Sequence, residues 1–185
     1  MNKFILCISA VFIVSCGKSD SNEINAVKNS MLPINPDITI GKALDGWVSC
    51  DETRWQSFLN KNKITVIEFR CMHKISNYLS EIQRFALPEQ IDAGGLKLMS
   101  IADVFRFKMN PKNQFDLSFA KTTYIWSDET ILKKQRNLAM ALTDAYNNVL
   151  MFDSSTITRS VAQKQIKLFT RMKTMGTHPD KAIQP

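Results

Sequence analysis

The chain has 185 residues, of which 44% are hydrophobic and 22% charged, with a formal net charge of +7. That balance fits one globular domain with tails and excludes a disordered or collagen-like chain. No apolar run reaches the ~20 residues that a membrane-spanning helix needs, which excludes a multi-span membrane protein of the helical kind.

The first residues, MNKFILCISAVFIVSC, have the anatomy of a secretory signal. Lys3 supplies the positive start, Phe4 to Val14 is apolar apart from Ser9, and the small Ser15 precedes Cys16. The ending Ile13-Val14-Ser15-Cys16 resembles a bacterial lipobox, which implies removal of residues 1–15 and acylation of Cys16 as the new N-terminus. An Asp after the lipid cysteine marks inner-membrane retention in enteric bacteria. Here Gly17 follows, so the resemblance implies the outer membrane, facing the periplasm. With Lys3 removed the net charge is about +6. Behind a secretory signal the expected polyanions are lipid headgroups, lipopolysaccharide phosphates and peptidoglycan carboxylates, and no nucleic acid. The alternative is that the basic surface serves solubility alone.

Cys7 leaves with the signal, so Cys50 and Cys71 alone remain in an oxidising compartment, where a structural disulfide is expected over free thiols. The loop they close is worth about 3 kcal/mol in the chain-entropy model. With His73 as their one histidine neighbour they fall short of four zinc ligands, so no metal and no cofactor is expected.

Gly17 to Pro36, rich in Ser, Asn, Lys and Pro, reads as a tether holding the domain off the membrane. Thr39 then caps a short helix with Ile40, Ala43, Leu44 and Trp47 at helical spacing. Cys50 to Thr53 is read as a polar turn. Trp55 to Leu59 and Ile64 to Cys71 read as a hairpin around Asn60 to Lys63, which a disulfide would staple at its open end. Ile75, Tyr78, Leu79, Ile82, Phe85 and Ala86 form a helical stripe closed by Pro88.

Met99, Ile101, Phe105, Phe107 and Met109 alternate along one strand face, with Asp103 its one polar member. Phe115, Leu117 and Phe119 alternate along the next strand, beyond an Asn-Pro-Lys-Asn turn. Pairing Met109 with Phe115 also pairs Phe105 with Phe119 and sets Asp103 opposite Lys121. One helix is expected from Ser127 or Asp128 through Ile131, Leu138, Leu142 and Tyr146 to Leu150. Another is expected from about Thr158 to Met172, its apolar side formed by Val161, Ile166, Phe169 and Met172.

That last helix carries Arg159, Lys164, Lys167, Arg171 and Lys173 and no acid. A cationic amphipathic helix can lie on anionic lipid, and it can equally pack its apolar side on the domain. Trp47 and Trp55 admit the same two readings, a recognition patch or core. The catalytic inventory is thin. His73 and His178 are the two histidines, no Gly-x-Ser-x-Gly or Gly-rich phosphate loop occurs, and the adjacent acids Asp51 and Glu52 fit a solvated turn.

Thr39 to Asp45 (TIGKALD), Trp47, Cys50, Trp55, Phe58, Val66 to Phe69 and Tyr146-Asn147-Asn148 together resemble a group of small, mostly uncharacterised lipoproteins of Gram-negative bacteria. The likeness runs from about Val27 to Asp153. It implies an envelope location and an α+β fold, and it brings no catalytic residues.

The expectation is therefore α+β: a small single domain of antiparallel hairpins packed against helices. Residues 1–15 form the signal peptide, 16–36 the lipidated N-terminus and tether, 37–153 the domain, and 154–185 a basic C-terminal helix and tail. The expected role is non-enzymatic binding of an envelope protein or anionic polymer from a membrane anchor. An inhibitor or exclusion lipoprotein is the alternative, and an envelope-polymer enzyme is a more distant one.

Overall fold

The computed structural model describes residues 21–178 apart from 111 and 113, so the signal segment and Cys16 lie outside the described residues. The chain opens with α1 (Asn22–Lys28), a two-stranded sheet of β1 (Met31–Leu32) and β2 (Asn35–Thr39), and α2 (Ile40–Asp45). The main sheet begins with β3 (Cys50–Leu59) and β4 (Thr65–His73). After α3 (Ser76–Gln83) and α4 (Pro88–Asp92) it continues with β5 (Leu98–Met109), β6 (Phe115–Trp126) and β7 (Ile131–Gln135). A second helical segment comprises α5 (Leu138–Tyr146), a 3₁₀ turn at Ser154–Thr156 and α6 (Arg159–Thr174). The five long strands form an antiparallel meander whose spatial order is the chain order. The fold is α+β, as the alternation of hairpin and helix patterns predicts.

Register explains why the sheet has one dry face. Ile67, Phe69 and Cys71 of β4 pair with Phe107, Phe105 and Asp103 of β5, and these pair in turn with Leu117, Ala120 and Thr122 of β6. Side chains alternate along a strand, so these residues share one side. Two apolar clusters lie on that side. In one, α1, α2 and α5 cover Phe69, Phe105 and Phe107, with Trp47 and half-buried Trp55 among them. In the other, α3 and α6 cover Leu98, Ile101 and Trp126. Each fully buried Ile, Leu or Phe contributes roughly 1.5–3 kcal/mol.

Several elements depart from the expected pattern, each for a local reason. The expected tether is folded from Ser21 onward. Ser21 Oγ caps α1 by accepting from Ile24 N–H, and Ile24 and Val27 sit in the core. Cys50 to Thr53 belongs to β3, with a bulge between Cys50 and Glu52. Pro88 starts α4 at its first turn, where its missing N–H costs nothing. The long helix expected from Ser127 is a turn, then β7, then α5. Glu129 takes φ 62°, Trp126 N–H bonds Thr130 O, and Ile131 to Gln135 extend the sheet along Ile125 to Lys121.

The second hairpin keeps Met109 opposite Phe115 and Phe107 opposite Leu117, but a bulge at Ser118 then shifts the pairing by one. Phe105 faces Ala120 and Asp103 faces Thr122, so Lys121 points to the other side. Another irregularity, between Leu98 and Ser100, turns Met99 outward, where it is 66% exposed.

The disulfide Cys50–Cys71 closes the open end of the first hairpin, with Cα atoms 5.3 Å apart. Beneath α6, Gly95 allows a close approach. A Cβ there would stand 2.5 Å from Thr170 Oγ1 and 2.6 Å from Thr170 Cα. Lys173 also ties α6 to the β6–β7 turn through Asp128 at 2.7 Å, a hydrogen bond that holds the Asp128 carboxyl down to about 2.

Candidate functional site: an open sheet face and a buried polar chain

The other face of the meander carries none of the residues of either apolar cluster. Its central row runs Gln56, Glu68, Arg106, Phe119 across four strands, and the next row runs Arg54, Arg70, Val104, Lys121, Gln135 across five. Glu68 is only 2% exposed because its neighbours bend over it. Its Oε2 accepts from Arg106 Nε at 2.7 Å and its Oε1 from Gln56 Nε2 at 2.9 Å, while Arg70 Nη2 stands 3.6 Å away. The Arg106 guanidinium carbon lies 5.7 Å from the centroid of Phe58 and 5.5 Å from that of Phe119, so two aromatic rings flank it.

Cations outnumber the acids that could neutralise them here. Arg54 and Arg70 are directly paired, which places like charges side by side, and a cavity of about 260 Å³ opens between Arg54, Gln56, Glu68 and Arg70. Partial burial pushes the Lys121 ammonium below its usual value. Arg106, Lys133 and Arg70 push the same way, against the pull of Glu68. Among the described residues neither Arg54 nor Lys121 has an ion-pair partner. Planar guanidinium forks and a destabilised ammonium on a face that none of the described helices packs are donors suited to phosphate or carboxylate oxygens.

A second polar group lies between the two apolar clusters. His73 Nδ1 is 2.9 Å from Ser49 Oγ, and His73 Nε2 is 3.1 Å from Asp103 Oδ2. Asp103 also accepts from Thr122 Oγ1 and, at 2.7 Å, from Arg136 Nη1; Arg136 Nη2 reaches on to Asp144. Met151 N–H donates to Ser49 Oγ at 3.1 Å, so the hydroxyl is held by both the ring and the backbone. Burial raises the Asp103 carboxyl. The bond from His73, the charges of His73 and Arg136, and the Thr122 hydroxyl outweigh it and leave Asp103 below its ordinary value.

The order Asp–His–Ser matches a hydrolase triad with the two ring nitrogens exchanged. Access and charge argue against that chemistry. Ser49 is 1% exposed, Phe152 stands edge-on against His73 at 5.3 Å, and Arg136 already neutralises the carboxylate that would support an imidazolium. The chain acts as a clamp. It joins the Trp47–Ser49 segment to the loop after α5, where Trp47 Nε1 donates to Val149 O and Val48 N–H to Asn148 Oδ1.

The sequence-derived candidates scatter across the molecule. Cys50 and Cys71 are joined, and Cys71 Sγ lies 3.7 Å from His73 Nδ1. Trp47 is core; Trp55 is half-buried and donates through Nε1 to Asp45 Oδ1 at 2.6 Å. Asp51 and Glu52 line a cavity of about 340 Å³ with Lys74 and Met99 at the sheet's disulfide end. Helix α6 packs Ala162, Ile166, Phe169 and Met172 into the domain, so its apolar side is occupied. Its Arg159, Lys164, Lys167 and Arg171 are exposed, Arg159 lying over Phe85, whereas Lys173 is half-buried on Asp128.

Composition and spacing single out none of Arg54, Arg70 and Arg106, and they place Lys121 opposite Asp103 rather than on this face. The signal available was the outward parity of the two hairpins, along which cations recur at Arg54, Arg70, Arg106 and Lys108. Among the described residues no group of three His, Cys, Asp or Glu side chains is placed to hold a metal, and no helix is long and apolar enough to cross a membrane. The chain matches no protein-family model, no curated protein and no solved structure.

Proposed function

We propose that this protein is a lipid-anchored lipoprotein of the bacterial envelope, held by acylated Cys16 at the periplasmic side of the outer membrane. There it binds an anionic envelope component without catalysing a reaction. The observation that carries the binding role is the sheet face that lies outside both helix-packed clusters of the described residues, where Arg54, Arg70 and Lys121 converge around a carboxylate already claimed by Arg106 and Gln56. The signal-like start and Ser15-Cys16 support the anchor. Burial of Ser49 and Asp103 supports the non-enzymatic reading, since the Asp103–His73–Ser49 group is closed to substrate.

The test has two arms. Cys16→Ala should release the protein from membranes on fractionation. Crosslinking in intact envelopes should capture a component with the wild-type chain that is lost with Arg54→Glu/Lys121→Glu. Membrane retention of Cys16→Ala defeats the anchor, and identical capture by both chains defeats the binding face.

A further inference from the structure

The position of α1 limits where the domain can sit. Ser21 caps α1, and five residue steps separate it from Cys16, a reach of at most about 17 Å even when fully extended. A domain of this size is about 40 Å across. Resting on the reading that Cys16 is acylated, this keeps the start of α1 within about 17 Å of the headgroup layer.

The fold sets which edge of the sheet lies nearest the anchor, and the distribution of charge sets the face. Helix α1 packs against β3 and β4, whereas α6 packs against α3 and β7. With strands about 4.8 Å apart, β3 and β7 are separated by roughly 19 Å. Helix α1 lies on the helix-covered side of the sheet, so the described chain begins near the β3 edge on that side, and α6 stands over the far edge on the same side, away from the open face. Arg54 and Phe58 belong to the open face at the β3 edge. The adjoining β3–β4 turn has the character of an interfacial segment. Leu59 is 66% exposed and Ile64 37% exposed, and these two apolar residues bracket a turn that contains exposed Lys61 and Lys63. Side chains with apolar bodies beside cationic heads settle at the boundary between acyl chains and phosphates.

We propose that the open sheet face and the β3–β4 turn rest on the phosphate headgroups of the bilayer that holds Cys16, while the α6 cations face away from it. Cations near an anionic bilayer each contribute about 1 kcal/mol, or roughly a fivefold change in binding. Arg54 and Lys121 offer this attraction without breaking an ion pair of the fold, since neither has such a partner among the described residues.

A photoreactive benzophenone amino acid at outward-facing Thr123, compared with one at Lys164 on α6, tests the orientation in the acylated mature chain. The chain is reconstituted in phosphatidylcholine vesicles with and without phosphatidylglycerol, and then followed in intact envelopes. The expected result is a lipid adduct from Thr123 and not from Lys164. Its yield should rise with phosphatidylglycerol and fall about fivefold or more in Arg54→Glu/Lys121→Glu, a variant whose melting confirms that it is folded. Equal lipid adducts at both positions, or none at Thr123, overturn the inference. A protein or glycan adduct from Thr123 in envelopes also overturns it while leaving the binding role intact. A Cys16 that carries no lipid by mass spectrometry overturns the anchor itself.

Discussion

Asp103→Asn is the substitution that most directly tests the buried polar chain. The replacement keeps the side-chain shape but removes the charge that Arg136 and His73 both face, and it turns an amide N–H₂ toward at least one donor. Removing one partner of a buried pair costs about 3–5 kcal/mol. Arg136 keeps Asp144 and is partly exposed, so the lower end applies, about 3 kcal/mol. In a domain of this size each kcal/mol shifts Tm by about 2–4 °C, giving a fall of about 6–12 °C. Urea unfolding followed by circular dichroism measures the free energy directly, and calorimetry gives Tm.

Asp144→Asn is the control, because that carboxylate is 28% exposed, and its loss should cost about 1 kcal/mol or less. A cost for Asp103→Asn equal to that of Asp144→Asn, or below about 1 kcal/mol, would refute the clamp, since ordinary surface changes fall in that range.

The same carboxylate sets an acid dependence. Asp103 titrates below its ordinary value in the folded chain, so its stabilisation is complete above that ordinary value and is lost as pH falls through the folded value. The Tm gap between wild type and Asp103→Asn should therefore narrow in acid, and a constant gap from neutral pH to acid would count against the assignment. Replacing Cys50 and Cys71 together by Ala should cost about 3 kcal/mol, read as a lower urea midpoint with native secondary structure retained at neutral pH. Gly95→Ala should destabilise by about 1–3 kcal/mol, because the added methyl meets the backbone of Thr170 and must move α6. A neutral Gly95→Ala, judged by Tm, would mean that α6 is held less closely than its contacts indicate.

The sequence was most legible where local chemistry and long-range pairing agree. Thr39 caps α2 as its position predicts, and the turn after Met109 is fixed by Asn110 Oδ1, which accepts from the N–H groups of Lys112 and Gln114. Agreement ended at Ser118, whose hydroxyl donates to Arg106 O. A single inserted residue there reassigned Lys121 from the core side to the open face. Nothing in the alternation of Phe115, Leu117 and Phe119 announces that bulge. Strand β7 was hidden for a related reason: Ile131 and Leu132 fit a helical stripe as well as a strand, and only pairing with β6 decides between them. The buried chain was illegible because His73, Asp103 and Arg136 are far apart in sequence, and the open face because its residues look like ordinary solvated positions.

The two edges of the meander bear on life at a crowded surface. The proposed anchoring would confine many copies to a thin layer, where an unpaired strand on one domain meets its counterpart on the next far more often than in free solution. At one edge β3 carries a bulge beside Asp51 and strings Glu52, Arg54, Gln56 and Ser57 along its middle, a run that resists stacking against a copy of itself. At the other, Thr177 returns from the end of α6 and exchanges both backbone hydrogen bonds with Ile131, leaving lysines 133 and 134 along the rest of a short strand. A sheet defended in this way can be crowded together without extending into a continuous ribbon of its neighbours.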